Sequence, residues 1–262
     1  MEPLKHEPLM EALGLTQEPL GIFYTDRQPS SGYAPRAQVP LGRLAEAPDG
    51  EMHWNSCVLG KVRRACRENK AAYFDHTRYG CLGGAFFMGF KPHYEDFEPD
   101  LLSTGIPGRF EGERYVDGPE TGKAFYDGFE PPRATGRFLV TQPLGLFKKD
   151  EQPELVAFFP GPGALIGLNG LTTFVTRDPQ AVCTPFGMAC CNLIAWPRKL
   201  LCMGEQKAVV GCFDINGLKY LKTGGLTYVV PFSLFKKMVA VWPESVLGTR
   251  AWKRLKISTD WS

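Results

Sequence analysis

Apolar and polar positions alternate along this chain in two different periods, and the switches between them mark out its elements. Leu9, Met10 and Leu13, with acidic residues between them, predict a short amphipathic helix within 4–13. Leu20-Gly21-Ile22-Phe23-Tyr24 reads as a buried strand, closed by the turn-rich stretch from Asp26 to Pro35. Ser56 is a good helix N-cap. Val58, Leu59, Val62 and Ala65 then repeat at helical spacing and leave Lys61, Arg63 and Arg64 outward. Ala71 to Phe74 predicts a short strand leading into a glycine turn, Tyr79-Gly80-Cys81-Leu82-Gly83-Gly84.

From Phe90 to Pro132 the periodicity breaks down. Asp, Glu, Gly and Pro are interleaved with Tyr94, Phe97, Phe110, Tyr115, Phe125, Tyr126 and Phe129, which predicts a wrapping insertion with one short helix near Tyr94 to Leu102. Arg137 to Val140 and Leu155 to Phe159 are strands, and the second lacks alternation, as expected for a sheet covered on both faces. Ala164 to Leu171 is predicted helical, Ala189 to Trp196 is a helix stopped by Pro197, and Lys207 to Cys212 and Leu226 to Pro231 are strands. Ser233 to Val241 is a closing helix before a basic tail. These elements predict an α/β fold: a mixed sheet with flanking helices in one domain over 1–262. Two related halves are expected at 15–90 and 150–242, with the insertion at 91–133.

Composition narrows the function classes. A hydrophobic fraction of 44% supports a proper core, and a formal charge of +2 with dispersed basic residues predicts no nucleic acid or anionic membrane partner. No apolar run approaches the roughly 20 residues that cross a bilayer, and the first residues lack a signal-peptide pattern, so the expected location is the cytoplasm. In a reducing compartment the eight cysteines are then expected as thiols, metal ligands or catalytic groups rather than a disulfide framework.

The cysteines repeat in context. Cys57 opens one predicted helix and Cys81 follows 24 residues later after Gly80; Cys190 and Cys191 open a second helix, and Cys212 follows Cys191 by 21 residues after Gly211. A thiol at a helix start faces unpaired amides that favour the thiolate, and glycines let backbone approach an inorganic centre. Soft thiolate ligands select zinc or iron–sulfur clusters. Neither the tight cysteine pairs usual for structural zinc nor the clustered run of a ferredoxin occurs, so dispersed ligands from two halves point to a [4Fe–4S] cluster, with zinc as the alternative. Cys66, Cys183 and Cys202 are read as packing residues. His53 and His76 remain outside candidates near the first cysteine helix, and Asp214 and Asn216 candidate neighbours of Cys212.

The ordered set Cys57, Cys81-Leu82-Gly83-Gly84, Cys190 with Ile194-Ala195-Trp196-Pro197, Gly211-Cys212 and Val229-Val230-Pro231-Phe232-Ser233 resembles domain-of-unknown-function family 169, a prokaryotic family common in anaerobes. The resemblance runs from about Leu20 to Val241. It implies a cytoplasmic α/β protein with cysteines at matching places, compatible with an iron–sulfur centre, and no assigned reaction. The adjacent Cys190 and Cys191 leave the third ligand open: the Ile-Ala-x-Pro register favours Cys190, and comparison with Cys57-Val58-Leu59 favours Cys191.

The expected function is therefore an iron–sulfur protein with a redox or electron-transfer role, served by a partner protein or a small molecule. Two other classes stay in view: a cysteine-nucleophile enzyme using Cys57 with His53 or His76, and a non-catalytic small-molecule module enclosed by the aromatic insertion. Oligomeric state is left open.

Overall fold

Alternation on the central strands decides the architecture, because each of them is buried on both faces. The computed structural model describes residues 4–35, 37, 57–148, 151–218, 220–221 and 225–257. In chain order its sheet strands are β1 (Leu20–Thr25), β2 (Ala72–Phe74), β5 (Phe138–Pro143), β6 (Leu155–Phe158), β7 (Val182–Cys183), β8 (Ala208–Gly211) and β9 (Thr227–Pro231); β3 (Gly105–Ile106) and β4 (Phe110–Glu111) form a separate pair in the insertion. The helices are α1 (Glu7–Leu13), α2 (Val58–Arg67), α3 (Leu82–Phe87), α4 (Glu98–Leu102), α5 (Pro119–Asp127), α6 (Pro162–Thr176), α7 (Trp196–Cys202), α8 (Ile215–Leu218), α9 (Phe232–Val241) and α10 (Arg250–Ile257). The fold is mixed α/β, as the sequence pattern predicts.

The seven strands lie in the order β2-β5-β1-β6-β9-β8-β7, with antiparallel neighbours except for the parallel β7–β8 pair. Up to β8 this order reads outward symmetrically from the β1–β6 pair: β5 and β9 come next, then β2 and β8. Each side is built in the same chain order, an inner strand, a cysteine-bearing helical segment, an outer strand followed by a cysteine, and then the middle strand.

Leu155 and Ala157 of β6 face one core with Leu20, Ile22, Phe74, Leu139 and Val229. Val156 and Phe158 face the other, with Val210, Tyr228 and Val230. The first core is covered by α2, α3 and the segment leading into α7, the second by α1, α6 and α9. In α2, Val58, Leu59, Val62 and Ala65 are all buried. Full burial of a Val or Leu side chain contributes about 1.5–3 kcal/mol, so this stripe, rather than helix propensity, holds α2 on the sheet.

Several expectations need correction. Arg63 is not outward: it is buried, its guanidinium stacks on Phe159 at 4.2 Å and donates to Gln17 Oε1 at 2.7 Å. The N-cap position of α2 is held by Cys57 rather than lying in the helix's first turn, and Ser56 and His53 lie outside the described residues. The glycine turn at Cys81 opens helix α3, whose first turn forms because the Cys81 sulfur accepts from the Gly84 amide at 3.3 Å. Pro197 does not end a helix. Cys191–Ala195 is a π-helical turn that passes directly into α7, where Pro197 sits in the first turn, so its missing N–H costs little. The insertion contains α5 and the β3–β4 pair besides the expected short helix, and the basic tail carries α10.

Arg198 fastens the exit of the insertion. It pairs with Glu154 at 2.9 Å, donates to the Pro132 and Arg133 carbonyls at 3.2 Å, and stacks on Tyr24 at 4.2 Å.

The π-helical turn presses Asn192 against Gly211: a Cβ added there would lie 2.0 Å from the Asn192 Cβ. Gly211→Ala is expected to destabilise the protein by about 1–3 kcal/mol through overpacking. Gly161→Ala, with open space around the added methyl, should change stability by under about 1 kcal/mol. Urea unfolding of both variants checks the contrast, and equal midpoints would contradict it.

Candidate thiol centre

Four segments that are distant in sequence deliver sulfur to one region. Cys57 stands at the start of α2, Cys81 at the start of α3, Cys190 immediately before the π-helical turn, and Cys212 in the turn after β8. Cys57 packs with Cys212, Ala189 and Leu59 in one small apolar cluster. Cys190 and Cys81 lie close enough to shift one another's acidity, as Cys57 does with Cys81, Cys190 and Cys212.

Cys57 makes no capping hydrogen bond to its own helix, although the unpaired Leu59 and Gly60 amides beside it favour its thiolate. A backbone amide is directed at one of these sulfurs: Cys81 accepts from Gly84 of its own helix at 3.3 Å, and the Val58 amide of α2 lies near enough to favour its thiolate. Gly84 is required for this closeness, since a Cβ there would stand 2.9 Å from Val58 Cγ2 and 3.0 Å from the Tyr79 carbonyl oxygen.

The thiols differ in acidity. Cys81 falls below the usual thiol value, first through the Cys190 thiol beside it and then through the Gly84 and Val58 amides, which together outweigh burial. Cys57 rises to about 11, first through burial and then through the charge of Cys81, so the helix-start effect expected from the sequence is overridden there. Burial also pushes Cys212 up, with Asp214 adding to it, and Cys190 is raised by Cys81 beside it and by burial.

Cys212 adopts φ 74°, a left-handed conformation uncommon for a side chain other than glycine. Such backbone is held only where its surroundings over-determine it, and functional sites collect it. Asp214 supplies part of that restraint: its buried carboxylate accepts from the Ala189 amide and, at 2.5 Å, from the Gly217 amide. It thereby ties the segment bearing Cys190 to the one bearing Cys212.

The adjacent cysteines separate clearly. Cys190 interacts with Cys57 and Cys81, whereas Cys191 is buried beside Gly187, where an added Cβ would meet its sulfur at 3.0 Å. Cys191 is therefore not brought to the thiol group in the way that Cys190 is. Cys66 donates to the Glu18 carbonyl at 3.8 Å, Cys183 to that of Ala208 at 3.4 Å, and Cys202 is exposed rather than packed. His76 and His93 are exposed. Among the described residues, no three His, Cys, Asp or Glu side chains stand close enough together to hold a single metal ion.

The sequence reading missed Glu98. The insertion carries it on α4 to a site 2% exposed, near the Cys81 sulfur and Tyr126, and neither carboxylate oxygen makes a hydrogen bond of good geometry. The only sequence signal was an acid inside an aromatic stretch, which a solvated turn would show equally. A second clamp comes from Tyr115, whose hydroxyl accepts from the Ile215 amide at 2.6 Å while its ring packs on Phe186 at 4.8 Å. The insertion thus grips both loops of the second half.

Burial, then the charge of Cys81, holds the Glu98 carboxyl well above its ordinary value. A raised carboxyl binds its proton more tightly in the folded state, so its contribution is fullest below the unfolded value of about 4.3 and is lost as pH climbs toward the raised folded value. Glu98→Gln removes that loss. The stability of the variant relative to wild type should therefore rise from acid to neutral pH in urea titrations, and a pH-independent difference would contradict the assignment.

No helix of the described residues is long and apolar enough to cross a membrane. Comparison with curated proteins and with solved structures finds no match in either. The model of family DUF169, described as "Uncharacterised ArCR, COG2043", matches residues 8–241. The match spans all four cysteine-bearing segments and the stretch 91–133 between them, and the chain belongs to this family.

Proposed function

We propose that the thiol centre binds a [4Fe–4S] cluster through Cys57, Cys81, Cys190 and Cys212 and serves electron transfer or redox chemistry, with a partner protein or a small molecule exchanging electrons. The observation that carries this reading is the approach of four sulfurs from four separate segments, one of them accepting a backbone N–H. Amides directed at sulfur stabilise thiolate charge and tune the reduction potential of a cluster. When bound, such a cluster supplies one-electron chemistry.

The donor set also bears on the choice of metal. A zinc ion needs its ligands around one point, and no three of the described donors meet that condition. In a four-iron cluster each cysteine binds a different iron, so the four sulfurs need not meet at one point.

Anaerobically purified protein is expected to contain iron and acid-labile sulfide in equal amounts and to lose visible absorption with dithionite. Serine at Cys57, Cys81, Cys190 or Cys212 should lower iron retention strongly, while Cys191→Ser and Cys202→Ser should retain it. Equal iron in all six variants, or zinc without sulfide in the wild type, would defeat the cluster.

A further inference from the structure

We propose that Arg63 is the counter-charge of the thiol centre, a buried guanidinium that raises the reduction potential of the cluster held there. The inference rests on the cluster reading above, because only a centre that takes up an electron gives this charge something to act on.

Arg63 is carried inward by α2, the helix that Cys57 opens, and is only 5% exposed. Its guanidinium lies 4.2 Å from the centre of the Phe159 ring, its Nε donates to the Tyr220 carbonyl at 3.4 Å, and its Nη1 donates to Gln17 Oε1 at 2.7 Å. Phe159 and Tyr220 both pack on the small cluster that holds Cys57, Cys212, Ala189 and Leu59. Tyr220 also closes over the start of α2, where a Cβ at Gly60 would stand 2.7 Å from its Cε1. The guanidinium therefore rests against the wall of the thiol centre, on the side of Cys57 and Cys212.

Each of its partners is neutral. A buried cation is ordinarily matched by an anion, because taking the charge out of water costs more than hydrogen bonds to neutral groups return. Among the described residues no carboxylate pairs with Arg63, whereas the sulfurs of Cys66 and Cys212 lie near enough for their charges to act on it. Of these, Cys212 is a ligand in the cluster reading and is an anion whenever the cluster is bound. An electron added to the centre increases its negative charge, and a fixed cation across a low-dielectric gap stabilises the reduced form more than the oxidised one. Arg64, the next residue of α2, is exposed and already paired with Glu68 at 3.0 Å, so water and counter-ions screen it.

The test uses the full chain purified anaerobically, with iron and sulfide assayed and the midpoint potential taken by dithionite titration with dye mediators. Arg63→Gln removes the charge. Gln17→Glu neutralises it in place, setting a carboxylate on the guanidinium from an exposed position that leaves the core untouched. Each should lower the midpoint by about 59 mV, a tenfold change for one electron. Arg63→Lys should keep most of the wild-type potential, and Arg64→Gln should leave it unchanged. Where Arg63→Gln does not fold, Gln17→Glu decides alone. A Gln17→Glu potential equal to wild type, or an Arg64→Gln shift as large as that of Gln17→Glu, overturns the proposal. Wild-type protein without iron and sulfide sinks the cluster and the counter-charge with it; a cluster whose potential ignores Gln17→Glu sinks the counter-charge alone.

Discussion

A sulfur that caps its own helix beside the start of a second is the contact on which the arrangement of the site depends. Cys81 accepts the Gly84 amide of α3, with the Val58 amide of α2 close by. Each helix leaves first-turn amides that must be satisfied, and a thiolate answers both the missing acceptor and the positive end of the dipole. The apolar stripe of α2 and the residues of α3 are buried in the same core, so the sheet sets where those amides lie. The acidity of Cys81 is thus a consequence of packing, in contrast with Cys57, where burial wins over two amides of its own.

The second half reaches the same region by different means. It has no cysteine-capped α-helix. Instead a π-helical turn carries Cys190 inward, Gly211 makes room for Asn192, and a left-handed Cys212 follows the strand. Asp214 binds the two segments together. The symmetric strand order therefore coexists with unlike surroundings: Cys57 and Cys81 are partly exposed, whereas Cys190 and Cys212 are buried.

The insertion turns an open sheet face into an enclosed site. Its aromatic residues pack on α3 and on the start of α7, with Phe87 and Phe129 at 6.1 Å and Phe129 and Trp196 at 4.5 Å. Tyr115 and Arg198 clamp it to the second half and to the sheet. The same covering carries Glu98 away from water, which, with the charge of Cys81 nearby, holds its carboxyl well above its ordinary value.

The pattern of apolar residues by itself determined the mixed α/β class, the central strands and α2. Those depend on local periodicity and on strands buried on both faces, which write themselves into neighbouring residues. Cysteine contexts likewise singled out Cys57, Cys81 and Cys212 as candidates. Three features came only from the tertiary structure. Which of Cys190 and Cys191 lies near Cys57 and Cys81 depends on which side of a π-helical turn faces α3, and one residue of rotation reverses it. Arg63 is buried because Phe159 and Gln17, from other elements, receive it. Glu98 became part of the site because an aperiodic segment folds back over the sheet, and contacts between segments so far apart leave no period in the chain from which they could be read.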